Sequence, residues 1–211
     1  MSIRGDYLRD PEAIYRASFA AIRREAPIER LPREMRALAT RLVHACAMPD
    51  IVADLAWTPD AIEAGCRALV AGRPVLVDSV MVAAGIRRAC LPADNPILCT
   101  LRDPGIAERA AAAATTRSAA AVELWRDHLS GAVVAIGNAP TALFRLLELL
   151  EDGAPPPALV LAFPVGFVGA AEAKEALLGQ QPAVPHIALR GRRGGSALAA
   201  AAVNALALDA R

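Results

Sequence analysis

The spacing of apolar positions changes near residue 72. Before it, apolar residues recur every three to four positions. Pro11 to Arg24 carries Ile14, Ala17, Phe19 and Ile22 at helical spacing, with Asp10 placed to cap the start and Pro11 suited to the first turn. Leu31 to Cys46 sets Leu31, Met35, Leu38, Leu42 and Val43 on one side of a second helix, which Pro49 closes. Thr58-Pro59-Asp60 predicts a cap and first position for a third helix reaching about Ala71. After residue 72 the pattern becomes short, continuous apolar runs. These are 74–78, 96–100, 132–136, 158–162 and the weaker 186–189. Runs of this kind suit strands buried on both faces of a parallel sheet.

Helical segments alternate with those strands: Ser79 to Ala89, Ile106 to His128, Thr141 to Leu150, Ala171 to Leu178 and Ser196 to Leu208. Strand-helix alternation over more than half the chain predicts an α/β, doubly wound, mainly parallel five-stranded sheet with right-handed crossovers. Helices then cover both faces, and a helical segment precedes the sheet. The 211 residues fit a single domain, 1–211, in which a helical region of about 1–72 packs on an α/β core of about 73–208. Gly153-Ala154-Pro155-Pro156-Pro157 reads as a stiff turn rather than a domain linker. Ala110 to Ala114 reads as helical propensity.

Charge narrows the function classes. With 23 basic and 22 acidic residues, the formal charge of +1 lacks the excess expected of an electrostatic nucleic-acid binder. Cys46, Cys66, Cys90 and Cys99 form no CxxC pair, and His44-Ala45-Cys46 has no partner pair, so no zinc site is expected. Met1 to Asp10 is polar, and the longest apolar stretches are too short to span a bilayer. A cytoplasmic protein with free thiols is expected, without a membrane partner.

Three strand-to-helix turns carry glycine: Ile136-Gly137-Asn138-Ala139-Pro140, the turn from Phe163 to Ala170, and Arg190-Gly191-Arg192-Arg193-Gly194-Gly195-Ser196. In a parallel sheet all three lie at the carboxyl edge of the strands, where ligands of open α/β sheets bind. Helix N-termini and Lys174, Arg190, Arg192 and Arg193 favour an anionic ligand there; the alternative is structural glycine turns with the arginines on a solvated face. No dinucleotide or phosphate-loop fingerprint is present. Thr115-Thr116-Arg117-Ser118 sits within the alanine helix, where Arg117 could fork to a carboxylate or simply face solvent. Asp78 reads as the cap of the helix beginning near Ser79, with a site residue as the alternative.

The remaining candidate is His44, set among Leu42, Val43 and Met48 with Arg41 three residues before it. Histidine exchanges protons near neutral pH, and burial among those neighbours is the expected means of tuning it. The alternative is a core histidine with its bonds satisfied.

Four long segments appear together: RxxHACxMPDI around His44, AIGNAPTALFRLLEL from Ala135, FPVGFVGAAEAKEAL from Phe163 and RGRRGGSALAAAAVNAL from Arg190. With Ile14-Tyr15-Arg16-Ala17-Ser18-Phe19 and TTRSAAA from Thr115, they closely resemble precorrin-8X methylmutase of cobalamin biosynthesis, over about Pro11 to Ala207. The resemblance implies a flavodoxin-like fold. It implies an isomerase that moves a methyl group from C-11 to C-12 of precorrin-8X, giving hydrogenobyrinic acid, by an acid-assisted [1,5]-sigmatropic shift without cofactor. The catalytic proton donor falls on His44, and substrate-binding positions fall on Ser18 and Arg41. Arg117, Ser118, Asn138, Lys174, Arg192, Gly194 and Gly195 are added from charge and turn chemistry. A homodimer with the site near the subunit interface is also implied, on a substrate of the cobalt-free type. Two sequence departures stand out: Ala47 where glycine is common, and Ala173 within the Glu172-Ala173-Lys174 segment. The rival readings are a non-catalytic corrinoid carrier and a flavin-binding electron carrier.

Overall fold

The computed structural model describes residues 7–181 and 183–210, so most of the polar start Met1 to Asp10 lies outside the described residues. Helix α1 (Pro11–Glu25) opens as its sequence requires: Asp10 Oδ2 accepts from the Ala13 amide at 2.9 Å, and Pro11 takes the first turn. Helix α2 (Arg33–Cys46) ends at Ala47, whose φ of 55° is left-handed. That conformation explains why glycine suits this position.

Six strands follow: β1 (Leu55–Trp57), β2 (Val75–Val77), β3 (Ile97–Leu98), β4 (Val133–Ile136), β5 (Leu159–Ala162) and β6 (His186–Leu189). Their order across the sheet is β1-β6-β5-β4-β2-β3. All neighbours are parallel except β1, which runs antiparallel to β6 with Leu55 opposite Leu189. Numbering only the parallel strands gives 2-1-3-4-5, the flavodoxin-like order, whose switch point lies between β2 and β4. The sheet therefore has six strands rather than five. Strand β1 escaped the sequence pattern because it has only three residues and no β-branched side chain.

The continuous apolar runs are explained by two cores. Val75, Val77, Val133, Ala135, Leu159, Leu161, Ile187 and Leu189 face one side of the sheet. There they meet α2, α3 (Ala61–Val70), α4 (Val80–Gly85) and α9 (Ser196–Asp209). Leu76, Val134, Ile136, Val160, Ala162 and Ala188 face the other side. They meet α6 (Arg117–Val122), α7 (Pro140–Glu151) and α8 (Ala170–Leu178). Period-two alternation puts apolar residues on both faces because both faces are covered. Among the described residues, no helix is long and apolar enough to cross a membrane.

Three local expectations are corrected. The helix expected over Ile106 to His128 is broken into α5 (Ile106–Ala112), α6 and a 3-10 turn. Thr115 to Ser118 spans that break, and Thr116 Oγ1 accepts from the Ala119 amide at 3.1 Å as the cap of α6. Thr58 does not cap α3; its Oγ1 accepts from the His186 amide at 3.1 Å and extends the β1–β6 pairing. Asp78 does not cap α4, because Ser79 does, with its hydroxyl accepting from Val82.

Candidate active site

Helices α1 and α2 pack side by side, and their facing positions build one cluster. Ser18 Oγ and His44 Nδ1 share a hydrogen bond of 2.8 Å. Tyr15 stacks on Phe19 with ring centroids 4.2 Å apart, one helical turn along α1. The His44 ring lies 5.3 Å from Phe19 and 5.8 Å from Tyr15. Arg41, three residues before His44, places its guanidinium 5.9 Å from the Phe19 ring centre. A hollow of ≈ 190 Å³ opens beside them, bounded by Ser18, Ile22, Val43, His44 and Ala47.

His44 is exposed, which corrects the expectation of burial. Leu42 and Val43 turn into the core against α9, and the next residue, about 100° further round the helix, faces α1 and solvent. It sits in the last turn of α2. With Nδ1 bonded to Ser18, Nε2 is the nitrogen open to a ligand. In the sequence Phe19 stands out as a helical position, and both Tyr15 and Phe19 belong to the family-like Ile14–Phe19 segment, but neither is marked for a role in the site. Their spacing around Ser18 at positions one turn apart is the signal that could have placed them in this cluster.

A second group lies at the carboxyl edge of the sheet, centred on the switch point. Asp78, at the end of β2, is buried and points across to the turn before α7. Its Oδ1 accepts from Gly137 at 2.9 Å, and its Oδ2 accepts from Asn138 at 2.8 Å and Ala139 at 2.7 Å. Burial still raises the Asp78 carboxyl above the ordinary aspartate range, against the opposing pull of these amides. The carboxylate thus fills the anion cradle at this turn and leaves the half-buried Asn138 side chain at the rim. Ser79 Oγ and Ser196 Oγ meet at 3.2 Å, bringing the starts of α4 and α9 together. Thr116 Oγ1 and Thr141 Oγ1 meet at 2.7 Å and bring α6 to α7. Arg117 is exposed and Ser118 half-buried beside them.

The two glycine loops are pressed together. Gly195 donates to Phe163 O at 2.8 Å, and Gly166 donates to Arg192 O at 3.1 Å. A Cβ on Gly194 would sit 2.2 Å from Phe163 O, so only glycine fits. Arg192 is exposed, with its guanidinium 5.6 Å from the centre of the exposed Phe167 ring. Arg193 instead turns back, pairing with Asp50 and, at 2.6 Å, with Asp54, in the turn that follows α2. Lys174 corrects its expected role as a direct ligand contact. It is fully buried, and its ammonium donates to Pro164 O at 3.1 Å and Arg193 O at 2.8 Å. Among the described residues no hydrogen bond or ring contact joins the His44 cluster directly to these loops; Arg193 and Asp50 form the bridge. No three His, Cys, Asp or Glu among the described residues gather as metal ligands.

The model of the precorrin-8X methylmutase family matches residues 13–208. The chain belongs to this family. The precorrin-8X methylmutase of Pseudomonas aeruginosa is 56% identical over 204 residues, covering 97% of this chain and 98% of its own length. That of a Sinorhizobium species is 54% identical over 202 residues, covering 96% of each. A solved precorrin-8X methyl mutase from Thermus thermophilus superposes with a TM-score of 0.85 at 40% identity, covering 94% of this chain and 96% of the other. Membership of the precorrin-8X methylmutase family makes the chain an isomerase of cobalamin biosynthesis, and its mainly parallel α/β fold is like that of the solved methyl mutase.

Proposed function

We propose that this protein moves a methyl group from C-11 to C-12 of precorrin-8X to give hydrogenobyrinic acid, with His44 as the proton donor. The single observation that carries the assignment of the acid is the Ser18–His44 pair, which commits Nδ1 and presents Nε2. A protonated His44 gives its Nε2 proton to the macrocycle, which then draws electron density from the C-11 region. The methyl leaves C-11 and bonds to C-12 within the same molecule, and the proton returns to Nε2. No methyl donor or redox partner enters, because the step is an isomerisation. Positioned proton transfer of this kind is typically worth ~10²–10⁴-fold in rate.

The exposed Tyr15 ring, stacked on the half-buried Phe19, offers a flat apolar face for the macrocycle beside the acid. Arg41 beside it, with Arg117, Asn138, Arg192 and the Gly194–Gly195 turn at the sheet edge, supplies cations and polar groups for the substrate carboxylates. The chain works as one domain over 1–211, in the cytoplasm, and as a homodimer. The hollow at His44, ≈ 190 Å³, is smaller than the roughly 300–1,000 Å³ of ordinary ligand sites. A second copy closing over the exposed face of α1 would complete the site and exclude water.

The test is incubation with precorrin-8X while the visible spectrum is followed. The parent protein converts the spectrum to that of hydrogenobyrinic acid, whereas His44→Ala binds the product but turns over at least 100-fold more slowly. Turnover by His44→Ala near the parent rate would remove His44 as the acid. An unchanged spectrum with the parent protein would point to a carrier instead.

A further inference from the structure

Lys174 is the most unusual charged group in the fold. It is fully buried, yet among the described residues no carboxylate pairs with it. The nearest candidate, Glu175, is spent on Arg190 in two contacts of 2.9 and 3.0 Å. Glu172 also lies on its helix and is exposed. The loop after β6 carries Arg190, Arg192 and Arg193, with Asp50 and Asp54 beyond Arg193. The Phe163–Gly169 loop carries no titratable side chain. Helix α7, packed against α8, carries Arg145, Glu148 and Glu151. Of all these, Glu175 alone acts on Lys174 appreciably, and burial holds the amine down to about 8.

The two carbonyls Lys174 does bind belong to different loops. Pro164 lies in the loop after β5, and Arg193 in the loop after β6. The same loops are joined by Gly166 to Arg192 and Gly195 to Phe163. One buried cation therefore sits beneath the seam whose outer side carries Arg192 and Phe167. A fold that needed only a cross-brace at this point could use a neutral donor, which is cheaper to bury. An ammonium adds positive charge under a surface already rich in cations. Added positive charge there serves a ligand with several carboxylates.

We propose that Lys174 is a positioning residue for the corrinoid, clamping the two loops together and lending its charge to the carboxylate-binding edge without touching the ligand. The proposal rests on the functional reading given above. Its geometry assigns Arg193 the outer half of the same clamp, through Asp50 and Asp54, and leaves Arg192 free to meet the ligand.

The test uses the full chain, hydrogenobyrinic acid as probe, and Lys174→Met, which keeps length but loses charge and donors. Amide exchange of Gly166 and Gly195 is expected to quicken at least tenfold in Lys174→Met relative to Val160, which bonds at the opposite end of the sheet. Product binding at pH 7 is expected to weaken at least tenfold. In the parent chain, raising the pH from 7 to 9 should weaken product binding roughly three- to tenfold, the weight of one partly screened charge. Lys174→Met should lose that pH dependence, which a purely structural brace would not create. Unchanged exchange at Gly166 and Gly195 overturns the clamp. Faster exchange with parent-like product binding overturns the positioning role. If Lys174→Met does not fold, a flat binding profile from pH 7 to 9 in the parent overturns the proposal. Failure of the parent to bind product at any pH overturns the functional reading, while the exchange arm still decides the clamp.

Discussion

Ser18 Oγ stands 2.8 Å from His44 Nδ1, across the seam between α1 and α2. A protonated His44 donates Nδ1–H to this hydroxyl, which leaves Nε2–H uncommitted by that bond. In the proposed mechanism Ser18 therefore orients the ring, in addition to the substrate contact the family resemblance implies. Ser18→Ala should keep the fold and lower kcat roughly 10- to 100-fold, as loss of an orienting partner commonly does. Single-turnover kinetics with precorrin-8X check it, and a change confined to KM would return Ser18 to substrate binding alone.

Asp78 binds three consecutive amides, those of Gly137, Asn138 and Ala139. Asp78→Asn replaces one accepting oxygen with a donor and strands at least one buried N–H, at a cost of ~1–3 kcal/mol in stability. The pH dependence has a definite sign. The folded carboxyl titrates above its unfolded value of 3.8, so the folded state holds the extra proton in that window. The contribution of Asp78 to stability is therefore greatest below 3.8 and is lost as pH rises through the raised value. Urea titrations of parent and Asp78→Asn between pH 3 and 7 should differ in slope there.

Lys174 carries the opposite sign at the alkaline end. Its folded value of about 8 lies below the ordinary 10.5, so between them the unfolded chain binds more protons. Stability should rise as pH increases from 8 to 10.5, by up to about 3 kcal/mol from this group. Lys174→Met should lack that rise. Chemical denaturation at pH 7.5, 9 and 10 measures it, and parallel profiles would show that the buried charge costs nothing.

Ala47 sits at φ 55°, where a Cβ is strained. Ala47→Gly should stabilise the end of α2 by roughly 1 kcal/mol, less the entropy that glycine gains when unfolded. A thermal melt that moves downward would show that the Ala47 methyl packs favourably enough to outweigh the strain.

Much of the fold was legible because it rests on local pattern. The five parallel strands and the helices between them follow from apolar runs and their spacing, and Asp10 and Pro11 begin α1 as expected. The break at Ala113 to Thr116 was hidden because alanine helix propensity continues through it; Thr116 bonding to Thr141 of α7 helps fix where α6 begins. In the site, His44, Ser18 and Arg41 were marked by motif resemblance, and the structure draws them into one cluster with Tyr15 and Phe19. Lys174 was marked by its charge but not by its burial, since nothing in Glu172-Ala173-Lys174 tells which way the side chain turns.

The sequence by itself determined the doubly wound class, the glycine loops at the carboxyl edge and membership of an isomerase family, because periodicity and motif chemistry are properties of neighbouring residues. Tertiary structure alone decided the antiparallel β1 edge, the exposure of His44 toward α1, the reach of Asp78 to amides 59 to 61 positions away, and the burial of Lys174 beneath two loops. Each of these depends on which elements pack together. The energy that selects those partners comes from burying both faces of the sheet and satisfying the polar groups caught at its edge, and neither is a property of any one segment.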